Sequence, residues 1–237
     1  MKRIILASKS PRRKEILSYI TNDFDIEAAD VDETINYDND LIEEIKSLAY
    51  RKAYKVFEEH KDSIVIGSDT IVVADNQVLG KPKDRMDAIR MLDMLNGKTH
   101  MVITGVCIID DEKCECFANV SKVTFGKMSD EEISSYVDTK EPMDKAGAYA
   151  IQGMAAKFIE RIDGDYYSIM GLPLHDVYKI LQKFNCLWYS NSVADIVSMV
   201  KRIHGKDLFP VQFWVSAPFY YMRRNTQEVE EITLEKW

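Results

Sequence analysis

MKRIILASKSPRRKEIL, residues 1–17, passes from a short apolar run through Ser8-Lys9-Ser10-Pro11-Arg12-Arg13 into a helical pattern. Ile4, Ile5 and Leu6 read as a buried strand, Ser10 suits a helix N-cap, and Pro11 suits the first helical position, where a missing N–H costs nothing. A helix therefore begins directly after a strand. The free N–H groups and positive dipole end of that helix would lie beside two guanidiniums, a combination suited to phosphate oxygens. Within the first fourteen residues, Lys2, Arg3, Lys9, Arg12, Arg13 and Lys14 meet no acidic residue. It is therefore either an anion site or an ordinary solvated basic helix start.

Composition bounds the rest. A chain of 237 residues, 46% hydrophobic and 30% charged, can bury a full core as one domain, or as one domain plus an appendage. Its net charge of -8 disfavours nucleic-acid polymers and anionic membranes as partners, while leaving room for a small anion in a local basic pocket. The apolar run after Arg3 is too short for a signal peptide, and no stretch approaches a membrane span, so a cytoplasmic protein is expected. Cys107, Cys114, Cys116 and Cys186 show no paired Cys-x-x-Cys spacing and read as core or surface residues rather than a zinc site.

Outward from the opening stretch, Phe24 and Ile26 suggest a strand, followed by the acidic residues Asp30, Asp32 and Glu33. These form either a solvated loop or oxygen ligands for a hard cation. Leu41 to His60 carries an apolar stripe at helical spacing that Lys52 interrupts, so its ammonium either snorkels from a core edge or points into a cleft.

In IVIGSDTIVVADNQVLGKP, residues 64–82, Ile64–Ile66 and Ile71–Val73 read as buried strand, Asp75-Asn76 as a turn, and Gln77–Leu79 as the returning strand of a hairpin. Asp69 lies among six aliphatic residues, an expensive place for a carboxylate unless it is paired, metal-bound or open to a cleft. Gly67 permits close approach, Thr70 adds a hydroxyl, and Lys81 between Gly80 and Pro82 is a second phosphate candidate. Beyond it, Asp84 caps a helix that Gly97 ends. Met101–Ile109 reads as a strand interrupted at Thr104-Gly105, and Cys116–Phe125 as another strand. Ser129 caps a further helix, and a last helix spans about His175 to Phe184. Gln152, in a small-residue loop, could read a base edge through its amide or simply brace the loop. Asp144 and Lys145 most simply pair with each other or with the loop backbone.

SKSPRRKEIL, VDET, LAYRKA, IGSDTIVV, GKP, TGV, DKAGAYAIQG and GLPL follow one another in the order found in the Maf family of nucleotide pyrophosphatases, and the resemblance covers residues 1 to about 185. It implies an α/β fold with a strongly twisted mixed sheet, flanking helices and a deep central cleft, similar to inosine triphosphate pyrophosphatases. Homodimers are implied as well. The resemblance gives Ser8, Arg13, Lys52 and Lys81, with Arg12, to the phosphates. Glu33 and Asp69 fall to a divalent metal, Mg²⁺ or Mn²⁺, with Asp69 also the proton acceptor. Arg12, Thr70 and Gln152 match the branch acting on dTTP and UTP. Ser168 stands where the family's GDYYNVxGLPL segment has asparagine.

Chemistry supports the same grouping. Hydrolysis at the α-phosphorus builds charge on the leaving pyrophosphate, which cations stabilise, and carboxylates beside those phosphates need an intervening cation. A P-loop, a GxGxxG strand–helix turn and a GxSxG elbow are all missing from the sequence, and His60, His100, His175 and His204 lack ligand spacing. The alternatives are a house-cleaning pyrophosphatase for modified nucleotides and a non-catalytic nucleotide-binding regulator of cell division or septum formation.

The resemblance stops before Leu187. Residues 186–237 form an aromatic-rich extension that holds Trp188, Trp214 and Trp237, with six basic and six acidic residues. Ser192–Ile203 reads as an amphipathic helix. Phe209–Met222 is apolar but carries Pro210 and Pro218, which favours a packed or interfacial segment over a membrane span.

Overall fold

The computed structural model describes residues 2–36 and 39–184. The expected extension, with its helix over 192–203, its apolar segment and Cys186, lies outside the described residues.

The opening stretch folds as its spacing predicts. Strand β1 is Ile4–Leu6, fully buried, and helix α1 is Pro11–Ser18, with the Ser10 hydroxyl accepting from the Arg13 N–H. Strand β2, Asp25–Ile26, pairs parallel with β1, which pairs parallel with β3, Ile64–Ala74. The remaining pairings are antiparallel: β3 with β4 (Gln77–Leu79) and β5 (Thr99–Ile109), β5 with β6 (Cys114–Phe125), and β6 with β7 (Ile159–Asp163). The result is a seven-stranded mixed sheet in the order β2-β1-β3-β5-β6-β7, with β4 on the far end of β3. The β3–β4 hairpin turns on Asp75 and Asn76, both with positive φ (47° and 59°), the conformation of a two-residue hairpin turn that Asp and Asn tolerate.

Helix α2, Leu41–Phe57, lies across one face of the sheet. Asp40 caps it, and it buries Ile45, Leu48, Ala49, Lys52, Ala53, Val56 and Phe57. Ile45 and Leu48 are each worth about 1.5–3 kcal/mol by burial. Two glycines set how close the helix comes. A Cβ on Gly67 of β3 would stand 2.3 Å from the Ala49 carbonyl oxygen, and one on Gly105 of β5 would stand 2.4 Å from that of Ile45. The larger core fills the opposite face under α3 (Arg85–Leu95), α4 (Asp130–Asp138), α5 (Tyr166–Met170) and α6 (Leu174–Lys183). No helix among the described residues is long and apolar enough to cross a membrane.

Four local expectations change. Helix α2 ends at Phe57 rather than His60. The two apolar runs read on either side of Asp69 belong to one unbroken strand, with the carboxylate in its middle. Thr104-Gly105 does not interrupt β5, because glycine there serves the approach of α2. Strand β7 and the short α5, which the sequence reading does not anticipate, are five residues each, below the length at which periodicity is legible.

Candidate active site

β1 covers one edge of β3 over Ile64–Ile66, and β4 covers the same edge over Val72–Ala74. Residues 67–71 between them have no strand on that side among the described residues. A cleft of about 740 Å³ opens there, lined among others by Arg12, Arg13, Glu33, Lys52, Asp69 and Gln152. The gap thus converts a buried strand into a cleft wall, and Asp69 stands at its middle.

Lys52 points into this cleft, on one of the two courses its sequence left open. Its Nζ lies 2.5 Å from Asp69 Oδ1 and 2.7 Å from Glu33 Oε1. The Lys52 side chain is 9% exposed, Asp69 21% and Glu33 67%, so charge is drawn from the helix through the strand to the open rim. Arg51, beside Lys52 on α2, holds the loop that carries Glu33: its guanidinium donates to the Asp32 and Thr34 carbonyls at 2.6 and 3.2 Å. The Thr34 hydroxyl and N–H both donate to Asp32 Oδ1 and keep that carboxyl below its usual range. Asp32 therefore shapes the loop, and Glu33 faces the cleft.

Across the cleft, Arg13 is fixed at three points. Its Nε donates to the Gly171 carbonyl at 2.9 Å, one terminal nitrogen to the Ser8 hydroxyl at 3.2 Å, and the other to the Thr70 hydroxyl at 3.4 Å. Thr70 and Thr104 share a 2.9 Å hydroxyl contact, and Thr104 donates to the Ser168 carbonyl at 2.8 Å. A directed chain thus runs from guanidinium to hydroxyl to hydroxyl to carbonyl. Burial lowers the Arg13 pKa, the charges of Asp69 and Glu33 oppose the drop, and an arginine remains a cation throughout. Ser68 also donates to the Gly171 carbonyl at 2.9 Å, which ties the GLPL turn to β3.

Arg12 reaches Asp144 at 3.7 Å, and Asp144 pairs with Lys145 as its sequence suggests. Burial works against the Asp144 carboxylate, but Lys145 and Arg12 outweigh it and hold its carboxyl below the usual range. Lys81 lies exposed on the wall, and the neighbouring Gly80 carbonyl accepts from the Gly147 N–H at 3.0 Å, joining the GKP turn to the small-residue loop. Gln152 is exposed at the cleft on that loop. The loop is braced by Glu141, whose carboxylate accepts from the Met154 N–H at 3.0 and 3.1 Å and from the Tyr136 hydroxyl at 2.8 Å.

All the residues assigned from sequence therefore line one cleft: Ser8, Arg12, Arg13, Glu33, Lys52, Asp69, Thr70, Lys81 and Gln152. The sequence reading did not single out Arg51, Thr104 or the Gly171 carbonyl, which hold these groups from behind. Only the TGV motif gave any signal of Thr104. The donor set also fits a hard divalent cation. Two carboxylate oxygens converge within hydrogen-bond range of a single ammonium, so they already share a point that favours positive charge, and Mg²⁺ commonly takes one or two carboxylates plus phosphates and water.

The chain is similar to several known proteins. The family described as "Maf-like protein" matches residues 3–184. A dTTP/UTP pyrophosphatase of Bacillus cytotoxicus is 47% identical over 185 residues, covering 78% of this chain and 97% of its own, and its counterpart from Aquifex aeolicus is 46% identical with the same coverage. Among solved structures, the Ham1 protein of Staphylococcus aureus aligns with a TM-score of 0.44 at 13% identity, over 77% of this chain and 99% of that one.

Proposed function

The chain belongs to the family of Maf-like proteins, and from that premise we propose that it is a nucleoside triphosphate pyrophosphatase that hydrolyses dTTP and UTP to the monophosphate and pyrophosphate. The observation that carries this reading is the opposition of charges across one cleft. Lys52, Asp69 and Glu33 stand on one wall, and Arg12, Arg13 and Lys81 line the rest. Such a site can hold a polyanion and still present a carboxylate to water.

In this reading the triphosphate lies over the α1 N-terminus, with Ser8, Arg12, Arg13, Lys52 and Lys81 on its oxygens. The three anchors of Arg13 fix its guanidinium before substrate arrives, so little reorganisation is needed as charge moves to the leaving pyrophosphate. Asp69 accepts the proton of a water aimed at the α-phosphorus, an assistance worth on the order of 10² to 10⁴ in rate. Glu33 and Asp69 would hold the Mg²⁺ or Mn²⁺ expected of the family, which when bound supplies charge neutralisation between carboxylates and phosphates. The Gln152 amide donates to O4 and accepts from N3–H of uracil or thymine, a pattern cytosine does not offer. A homodimer working on the cytoplasmic nucleotide pool completes the proposal, and mass in solution tests the assembly.

The direct test is a nucleotide panel run with Mg²⁺, with pyrophosphate and orthophosphate measured separately. Pyrophosphate from dTTP and UTP supports the proposal. Orthophosphate alone, or no turnover of either nucleotide, overturns it.

A further inference from the structure

The same sheet face carries a second cluster of reactive side chains. Cys107 on β5 pairs directly across the strands with Cys116 on β6, and Cys114, two residues before Cys116, points to the same face. A spacing of Cys-x₆-Cys-x-Cys looks unremarkable in sequence, but the β5–β6 register folds it back on itself. Cys114 Sγ lies 3.6 Å from Cys107 Sγ and 3.9 Å from Cys116 Sγ, while Cys107 and Cys116 are 2.6 Å apart. All three donor atoms fall within 4.8 Å of one another. Cys107 is buried under α2, Cys116 is half-buried, and Cys114 is exposed, so the cluster has a closed floor and an open rim.

We propose that Cys107, Cys114 and Cys116 form a site for one thiophilic divalent cation of the Zn²⁺ class, with three sulfur ligands and a fourth position open to solvent beside Cys114. A Zn–S bond of about 2.3 Å in tetrahedral geometry separates neighbouring sulfurs by about 3.8 Å. Cys114 already stands at that spacing from both partners. Cys107 and Cys116 stand closer than that spacing and would separate to reach it on binding. Binding the cation displaces the thiol protons of its ligands. From α2, Lys46, itself paired with Glu43 at 2.8 Å, and the Tyr50 phenol are the titratable groups whose charge reaches these sulfurs. Three soft thiolates select against Mg²⁺, so this site and the carboxylates at Asp69 take different metals.

The test uses the full chain with Cys186→Ser to remove the remaining thiol, reduced and kept without oxygen. Titration with Cd²⁺ should give a thiolate-to-metal charge-transfer band that saturates at one equivalent, and Zn²⁺ should displace a chromophoric chelator with the same stoichiometry. Cys114→Ser, at the exposed rim, should keep the fold and weaken uptake at least about tenfold, and adding Cys116→Ser should abolish the band. Turnover of dTTP with Mg²⁺ should be unchanged by Cys114→Ser. A band that is absent at one equivalent, or that survives in the double variant, overturns the proposal. So does a Cys107–Cys116 disulfide in the untreated protein combined with failure of the reduced protein to take up either cation.

Discussion

Lys52 Nζ stands 2.5 Å from Asp69 Oδ1, a helix cation reaching a strand carboxylate across the face where α2 meets β3. Removing either group leaves the other's charge unpaired on the cleft wall. Asp69→Asn should therefore lower kcat by at least about 10², in line with loss of a general base, while nucleotide binding persists. Lys52→Met should cost roughly 10² to 10³ in kcat/KM by removing a positive charge from the phosphate site. Steady-state kinetics with a binding isotherm for each variant check both. An Asp69→Asn enzyme with wild-type turnover would show that the base lies elsewhere.

Gln152 projects from a loop that Glu141 holds from behind, so its position does not depend on its own hydrogen bonds. Gln152→Ala should leave the fold intact and reduce the preference for UTP over CTP by about tenfold, one base-edge contact's worth of about 1–3 kcal/mol. The ratio of kcat/KM for the two nucleotides is the measurement, and an unchanged ratio would remove Gln152 from base recognition.

His100 is buried on β5, its Nε2 2.8 Å from the Tyr149 hydroxyl, and burial brings its pKa down to about 4. An unfolded histidine titrates near 6.5. Below that pH the unfolded chain takes up a proton that the folded chain refuses, so stability present above 6.5 drains away as pH falls toward 4, by about 3 kcal/mol in all. His100→Gln removes this proton linkage. Urea unfolding at about pH 7.5 and about pH 4.5 should show the stability gap between wild type and variant shrinking at the lower pH, and an equal gap at both would mean the histidine is not held neutral.

Ser168 is fully buried, and its hydroxyl has no hydrogen-bond partner among the described residues, although its backbone carbonyl accepts from Thr104. A buried hydroxyl without a partner costs about 1–3 kcal/mol. Ser168→Ala keeps the carbonyl and sheds that cost, so the variant should unfold at an equal or higher denaturant midpoint. A midpoint lower by more than about 1 kcal/mol equivalent would show that the hydroxyl is satisfied in solution.

Much of this cleft was legible because its signals are local. Ser10 and Pro11 announce a helix start within a few residues, and a carboxylate among aliphatics at Asp69 is anomalous on its own. What was not legible depends on register and approach. For Asp69 the sequence leaves open whether the carboxylate is paired, metal-bound or open to a cleft, and only the edge left bare between β1 and β4 shows that it faces one. Cys107 and Cys116 are nine positions apart in sequence and become direct neighbours only through the β5–β6 pairing. Arg51 lies inside LAYRKA beside Lys52, and its spacing does not show that it holds the loop bearing Glu33.

The most demanding prediction concerns the two glycines under α2. Gly67 and Gly105 lie on adjacent strands, two residues from Asp69 along β3 and directly across from it on β5. At both, an added Cβ would meet helix backbone, 2.3 Å from the Ala49 carbonyl oxygen and 2.4 Å from that of Ile45, and backbone cannot rotate aside as a side chain can. Neither glycine has positive φ, so the cost is one of space. Gly67→Ala or Gly105→Ala should force α2 off the sheet and destabilise the fold by about 3 kcal/mol or more, the upper end of overpacking. Because Lys52 rides on α2 while Asp69 rides on β3, the same displacement lengthens their ion pair. Turnover should therefore fall even under conditions where the variant remains folded. Denaturant unfolding alongside kcat at low temperature separates the two effects, and a variant that unfolds like wild type would show that α2 has slack the packing does not suggest.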